Sequence, residues 1–199
     1  MINALLTIIS KSDDSQEAFG YGNVSSGFDS SYMSTSGSLN DKGQFYGYND
    51  QTHQVKVFHI EDWWGNQLER IAGLIVDSGN IKVAMKGPYS TDGSGSNYST
   101  ILTISSNIGS GWAANCKCDN TCGRLPISKT SPGGTTANSS TFLCDYVYIR
   151  YRSGYTYYPY VGGACSDGVD AGSSCFVASN AASYANWHVG ASLSYMSQS

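Results

Sequence analysis

Short segments in which apolar and polar residues alternate, separated by glycine-rich turns, most constrain what this chain can fold into. The alternation is clear in residues 55–60, 81–86 and 142–151, and a period of two is typical of half-buried β-strands. Residues 77–80, with the sequence DSGN, have the composition of a tight hairpin turn. Only 13% of the residues are charged, whereas 23 are Gly and 15 are Tyr. This composition favours strands and loops over a helical bundle.

The length of 199 residues is sufficient for one domain with its own core. We find no internal repeat and no interdomain linker, and we therefore predict a single domain over residues 1–199. Residues 1–50 are rich in Gly, Ser, Tyr and Asn. They are predicted to be an irregular N-terminal part with one short helix over residues 2–10.

Charge and hydropathy exclude two classes of partner. The net charge is -4 and no run of Lys or Arg occurs, so the sequence lacks the basic patch that binds a phosphate backbone. No stretch approaches the roughly 20 apolar residues that cross a bilayer. We therefore expect neither a nucleic-acid partner nor membrane insertion.

Six cysteines raise the question of a metal site. Three of them, Cys116, Cys118 and Cys122, lie close together, and the others are Cys144, Cys165 and Cys175. Zinc sites usually combine CxxC pairs or added histidines, and the three histidines lie far from the cluster in sequence. The expectation is no metal and no cofactor. The alternatives of unpaired thiols and of a disulfide both stay open.

Catalytic chemistry has weak support in the sequence. A nucleophile with its base could be drawn from Cys165 or Cys175 with His188 and Asp167, but no family signature surrounds them. Glycoside chemistry would need two carboxylates in a cleft, and no Glu follows Glu69. We therefore predict no catalytic residues.

One compositional gap has a genetic explanation. Residues 130–186, a stretch of 57, contain no Lys, Glu, Gln, Met or Trp, whereas the other 142 positions hold 24 of them, so 24/142 × 57 predicts roughly ten. None of these five types has a codon that ends in a pyrimidine. Randomising the first two bases of AAY codons, as diversity-generating retroelements do, would produce this gap. The alternative is that β structure rich in Gly, Ser and Tyr simply contains few such residues.

Three motifs carry a resemblance to a known family. Residues 63–66 are WWGN, residues 161–172 are VGGACSDGVDAG, and residues 180–195 end in VGASLSY. In this order they resemble the variable proteins of diversity-generating retroelements of phages and bacteria. That family shares a C-type-lectin subgroup with formylglycine-generating sulfatase-modifying proteins. Cys165 departs from the family pattern, because it stands where a Trp is usual. The EPN, QPD and WND triplets of calcium-dependent lectins are absent, so calcium-dependent sugar binding is not implied.

The resemblance implies an α+β, C-type-lectin-like fold with short strands, long loops and one or two helices. It implies a non-catalytic protein that binds a protein or glycan receptor on a bacterial surface, located in a phage tail or fibre of the virion or on a bacterial cell. A homotrimer is expected in the parent assembly, because phage fibres are commonly trimeric. The alternatives are an oxidase of the formylglycine-generating type and a structural fibre domain.

The resemblance also places the ligand contacts in a diversified segment over residues 155–190. These positions are expected to be exposed and clustered on one face, because only exposed positions tolerate wholesale replacement. Trp187 and the glycines 162, 163, 168, 172 and 190 are assigned to the framework, and Trp63 and Trp64 to the core. The expected ligand-binding positions are Tyr157, Tyr160, Ala164, Ser166, Asp167, Asp170, Ser174, Cys175, Ser179, Asn180, Tyr184, Asn186 and His188.

Overall fold

The computed structural model describes residues 12–89, 97–119 and 123–190. It is rich in β structure, with 33% strand and 7% helix. The α+β, C-type-lectin-like expectation is therefore wrong. The helical elements are α1 (Ser15–Phe19) and the 3-10 turns Ser30–Tyr32 and Gly168–Asp170. The helix predicted over residues 2–10 lies outside the described residues.

Fifteen short strands account for most of the regular structure of the described residues. Glycine-rich turns interrupt the alternating segments so often that each strand spans two to seven residues. In chain order the strands are β1 (Phe45–Tyr46), β2 (Lys56–Val57), β3 (Ile60–Glu61), β4 (Leu68–Arg70), β5 (Leu74–Asp77), β6 (Asn80–Val83), β7 (Ser99–Thr103), β8 (Ile108–Trp112), β9 (Asn115–Asp119), β10 (Gly123–Ser128), β11 (Tyr146–Ile149), β12 (Thr156–Tyr157), β13 (Tyr160–Gly162), β14 (Gly172–Ala178) and β15 (Val189–Gly190).

Two larger sheets share the main core. One has six strands in the order β15-β4-β13-β14-β11-β8, in which β15 is parallel to β4 and β11 is parallel to β14. The other has four antiparallel strands in the order β12-β5-β6-β7. Val147 and Phe176 of the first sheet belong to the same buried cluster as Val76 and Ile81 of the second. Burial of these apolar side chains from both sheets supplies the main driving force for folding.

Two turns show how well the local patterns predict structure. The hairpin over residues 77–80 is confirmed, because Asp77 pairs with Asn80 while Ser78 and Gly79 have φ angles of 49° and 85°. The single strand predicted over residues 55–60 is wrong. Phe58 and His59 adopt positive φ angles, so the segment turns back and β3 pairs with β2. Alternation alone does not reveal this turn, since it contains no Gly, Asn or Asp.

A second, smaller core surrounds Trp64. This side chain is fully buried with Val55 and Val57, and its indole Nε1 donates a hydrogen bond of 3.1 Å to the Gly20 carbonyl oxygen. Trp63 packs against the same cluster. The prediction that Trp64 anchors the core is confirmed. The bond to Gly20 ties the N-terminal part of the described chain to the WWGN segment.

A buried carboxyl group lies beside this second core. The Asp62 Oδ2 atom accepts hydrogen bonds from Gln54 Nε2 at 2.7 Å and from Asn66 Nδ2 at 2.9 Å. Its Oδ1 atom is buried and has no hydrogen-bond partner among the described residues. Burial raises the pKa of Asp62 to about 7, and the negative charge of Glu61 adds to the effect, while the two amide donors oppose it. The network therefore holds a carboxyl group that binds a proton near neutral pH.

Candidate ligand-binding surface

An aromatic cluster lies where the N-terminal loops meet the end of the described chain. The Phe28 side chain is 68% exposed, and its ring centroid lies 5.1 Å from that of Trp187, edge to face, and 5.5 Å from that of His188. The Tyr184 ring lies 6.2 Å from the His188 ring. We call Phe28, Tyr184, Asn186, Trp187 and His188 the aromatic surface. Phe28 is the exposed ring of this group, Tyr184 and Trp187 are half-buried, and His188 is buried. An exposed aromatic ring supported by further rings is a candidate interaction site.

Cys165 fixes the loop that carries Phe28. Its carbonyl oxygen accepts hydrogen bonds from the backbone N–H groups of Ser26 at 3.0 Å and Gly27 at 3.4 Å, and its Sγ lies 3.4 Å from the Gly27 carbonyl oxygen. The Cys165 side chain is fully buried. The cysteine at the position where the resemblance predicts Trp therefore positions the exposed aromatic ring.

Arg70 of β4 holds the backbone that carries Tyr184. Its guanidinium Nη1 donates to the Ala182 carbonyl oxygen at 2.8 Å, and Nη2 donates to the carbonyl oxygens of Ala181 and Tyr184. Nη2 also donates to the Tyr160 hydroxyl at 3.1 Å, and the guanidinium lies 5.2 Å from the Tyr160 ring centroid. One planar group thus satisfies several carbonyls of an irregular segment, a role that suits the five donors of arginine.

Two other residues near Arg70 hold the following positions of the same segment. The Gln67 side-chain Nε2 donates to the Trp187 carbonyl oxygen at 2.9 Å, and the backbone N–H of Leu68 donates to the His188 carbonyl oxygen at 2.9 Å. Pairing of β15 with β4 continues this contact. The aromatic surface is therefore built on the edge of the six-stranded sheet.

The polar groups of this region are largely desolvated. Burial raises the pKa of Asp167, whose carboxylate accepts a hydrogen bond of 2.8 Å from the Ala164 N–H. Burial lowers the pKa of His188, against the attraction of Asp167, so the imidazole is neutral at pH 7. Its Nε2 lies 3.5 Å from the Tyr184 hydroxyl, and its buried Nδ1 has no hydrogen-bond partner within the described residues. The imidazole therefore contributes ring contacts with Phe28 and Trp187.

The expectation that all thirteen predicted positions are exposed is wrong. The structure buries six of them, and three of the six, Tyr160, Ser174 and Cys175, lie on β13 and β14 inside the six-stranded sheet, where side chains contact the core. The buried positions are Tyr157, Tyr160, Ala164, Ser174, Cys175 and His188. The half-buried positions are Ser166, Asp167, Asp170, Ser179, Asn180 and Tyr184, and Asn186 is exposed.

Some predicted positions lie together, and others do not. Tyr184 contacts Tyr160 at a ring distance of 6.3 Å, and its hydroxyl accepts a hydrogen bond of 3.1 Å from Asn186 Nδ2. Tyr157 lies in β12 of the other sheet, where it stacks on Tyr155. Sequence reasoning missed Phe28, and no local pattern marks it as functional. Only the fold brings its loop to the segment over residues 184–188.

A separate cavity of about 390 Å³ lies against β5, β6 and β14. Its lining is mainly apolar and includes Trp63, Leu74, Met85 and Phe176, together with the predicted positions Ser174 and Cys175. The volume suits a small molecule. Since its few polar side chains come from one short stretch of β14, the cavity offers little to orient a ligand.

The framework glycines behave as predicted. Gly162, Gly163, Gly168 and Gly172 have positive φ angles, and a side chain at Gly190 would collide with Gln67. At Gly163 the φ angle is 87°, and an added Cβ would lie 2.6 Å from the Ala171 Cβ. Any other residue there would be strained and would clash. These glycines therefore fix the backbone of the segment.

The buried thiols are poorly suited to reactive chemistry. Burial raises the pKa values of Cys165 and Cys175, and that of Cys144 to about 12, so these cysteines stay protonated. In the parts of the chain that the structure describes, no group of three or more His, Cys, Asp or Glu side chains could hold a metal ion.

Among the helices that the structure describes, none has the length and hydropathy of a transmembrane span.

Substitutions will separate core tyrosines from surface positions. We expect Tyr160→Ala to destabilise the fold by about 3–5 kcal/mol, because it empties a buried ring site and removes a partner of Arg70. Asn186→Ala is expected to change stability by about 0.5 kcal/mol or less, since it is exposed. Urea unfolding at pH 7 measures both. Equal, small losses would show that Tyr160 is not part of the core.

No protein-family model matches the chain, and no curated protein is similar at a significant level.

Proposed function

We propose that the protein is a non-catalytic binding module that recognises a protein or glycan receptor on a bacterial surface through the aromatic surface. The observation that carries the proposal is the exposed Phe28 ring packed on Trp187 and His188, on a loop and a segment that the scaffold holds by several hydrogen bonds. Binding hot spots are enriched in large aromatic side chains. A rigid support reduces the entropy that binding would cost.

The chemistry of the surface suits recognition. Tyr184 and Trp187 offer large amphipathic contacts at low entropic cost, and the exposed side-chain amide of Asn186 adds a hydrogen-bond donor and an acceptor. Rings flanked by such polar groups can stack on the apolar face of a sugar or contact a protein side chain. Either receptor class fits a phage tail or fibre, or a bacterial surface protein, where such a module would act.

Retroelement diversification is part of the same proposal, with a smaller set of positions. The half-buried and exposed positions of the segment are the ones that tolerate many side chains, namely Ser166, Asp167, Asp170, Ser179, Asn180, Tyr184 and Asn186. The buried positions belong to the framework. The compositional gap over residues 130–186 supports a common codon history. Sequencing of the neighbouring DNA should reveal a reverse transcriptase gene and an imperfect copy of codons 160–188.

An oxidase of the formylglycine-generating type has less support. That chemistry needs a reactive cysteine pair, and thiolates, rather than thiols, are the reactive species. The raised pKa values of Cys165 and Cys175 disfavour the thiolate, and the Cys165 Sγ is engaged with the loop of Phe28.

Binding to whole cells tests the proposal. Fluorescently labelled protein, incubated with a panel of bacterial strains, should label some strains. Phe28→Ala should reduce that labelling at least about tenfold, as truncation of a binding hot spot does. Loss of one ring edge contact should cost about 1 kcal/mol of stability or less, so the variant should remain folded.

Tyr48→Ala is the matched control for Phe28→Ala. Tyr48 is also an exposed aromatic residue, but its ring packs on Tyr46 and His53 rather than on the aromatic surface. Equal losses of labelling with both variants, or labelling unaffected by Phe28→Ala, would refute this location of the site.

A further inference from the structure

Strand β9 presents two thiols side by side. Cys116 and Cys118 are two residues apart in an extended strand, so their side chains lie on the same face. Their Sγ atoms are 3.9 Å apart. Both residues are paired with β10, because Cys116 is opposite Pro126 and Cys118 is opposite Arg124. The pair is therefore fixed by backbone pairing rather than by a flexible loop.

The separation of the two sulfurs matches a shared metal ion. In a tetrahedral site with metal–sulfur bonds of about 2.3 Å, two sulfur ligands lie about 3.8 Å apart. A disulfide requires about 2.05 Å, with Cα atoms usually about 5.5–6 Å apart. Residues i and i+2 of an extended strand have Cα atoms about 6.6 Å apart. This Cα separation is near the upper limit of about 6.8 Å for disulfides. Closing the bond would bring the two sulfurs about 1.9 Å closer than they are, whereas a shared ion fits their present separation of 3.9 Å.

The pair is also accessible, unlike the other described cysteines. Cys118 is exposed and Cys116 is half-buried at the margin of the main core, whereas Cys144, Cys165 and Cys175 are buried. A hydrated ion can therefore reach both sulfurs from solvent without any opening of the fold.

We propose that Cys116 and Cys118 form a two-thiolate site for a thiophilic divalent ion, Zn²⁺ or Cd²⁺. Each thiol loses its proton on binding, so two protons are released to solvent and the two thiolates neutralise the charge of the ion. Sequence spacing does not predict this site, because CxC lacks the usual zinc pattern. Strand geometry brings the sulfurs to the required distance.

Titration of the reduced full-length protein with Cd²⁺ alone, in the absence of oxygen, tests the proposal. We expect one ion per chain, an ultraviolet thiolate-to-cadmium charge-transfer band and the release of about two protons, one from each thiol. Loss of a residue that only supports a metal ligand already costs roughly 10- to 100-fold in affinity. Cys118→Ser, which removes a ligand, should therefore weaken binding by at least about tenfold.

Control variants keep the test decisive. Cys116→Ser should weaken binding as Cys118→Ser does, and Cys165→Ser should leave both affinity and stoichiometry unchanged. Unchanged near-ultraviolet circular dichroism would show that the Cys118→Ser chain is folded. The proposal is overturned if Cys118→Ser binds Cd²⁺ as tightly as the unsubstituted chain. It is also overturned if the charge-transfer band disappears only in Cys165→Ser.

Discussion

Replacing Asp62 by asparagine will make the protein more stable at pH 8, by about 2 kcal/mol. Burial raises the pKa of this carboxyl group from 3.8 to about 7. Each pKa unit corresponds to about 1.4 kcal/mol, so an ionised Asp62 costs the folded state about 4 kcal/mol. The oxygen of the introduced amide would still accept hydrogen bonds from Gln54 and Asn66. Its N–H groups would be buried without a partner, which offsets about 2 kcal/mol of the gain.

The pH dependence has a defined sign. Between pH 3.8 and about 7 the folded state holds a proton on Asp62 that the unfolded chain has lost. The free energy of unfolding therefore falls as pH rises through this window. Above the window, the contribution of Asp62 to stability no longer changes with pH. The gap between Asp62→Asn and the unsubstituted protein should be small at pH 5 and should widen up to pH 8.

Urea unfolding at several pH values between 5 and 8 measures this gap. Asp77→Asn is the matched control, because its hydrogen bond to Lys82 at 2.6 Å lowers the pKa of Asp77. Asp77 is then ionised throughout the window, and its substitution should lower stability by the same amount at each pH. If the unfolding free energies of Asp62→Asn and the unsubstituted protein differ by the same amount at every pH, burial does not raise the pKa of Asp62.

Arg70→Ala will loosen the segment that carries Tyr184 in the aromatic surface. The variant removes the side-chain donor to the carbonyl oxygens of Ala182 and Tyr184 and the contact with Tyr160. The Ala181 carbonyl oxygen loses the bond from Arg70 but keeps one from the Tyr184 N–H at 3.1 Å. Hydrogen bonds to charged groups contribute about 1.5–3 kcal/mol each. Because one nitrogen of Arg70 serves several acceptors and the group is partly exposed, we expect a total loss of stability of about 3 kcal/mol. We expect faster amide hydrogen exchange over residues 181–190 and the same loss of cell labelling as with Phe28→Ala.

Arg70→Lys separates charge from geometry. The ammonium group keeps the positive charge but lacks the planar fork that reaches several carbonyls at once. Amide hydrogen exchange over residues 181–190 in Arg70→Lys should therefore resemble that of Arg70→Ala more than that of the unsubstituted chain. Exchange in β6, which lies in the other sheet, is the internal control and should not change. Wild-type exchange over residues 181–190 in Arg70→Ala would show that the segment is held by other contacts.

Local turns and core residues follow from the sequence better than the global architecture does. The DSGN hairpin depends on four adjacent residues, and Trp64 is a large aromatic side chain that follows a segment with strand alternation, so both follow from local chemistry. The sheet order depends on pairing between distant strands, such as β13 with β4, which no local pattern encodes. The α+β prediction is based on short family motifs, and such motifs do not determine how many residues of a chain are helical.

The candidate site shows the same limit. The codon pattern marks positions that could vary, and we expect the side chains at all of these positions to be exposed. Ser174 and Cys175 are among them, but they lie on a central strand and are buried. Phe28 escapes sequence reasoning because its importance depends on contacts with a segment about 160 residues away. The thiol pair of Cys116 and Cys118 does not match loop-type zinc motifs, and its spacing is meaningful only with the period of a strand.

The pairing of β15 with β4 has a consequence for biosynthesis. Leu68 and Val189 are register partners although about 120 residues separate them, and such non-local pairing slows folding. While the ribosome is still adding residues 71–190, β4 has an open edge that can pair with other chains. We therefore expect nascent chains to depend on holding chaperones until β15 emerges. A transcript truncated before codon 189 should yield aggregates rather than a smaller soluble protein.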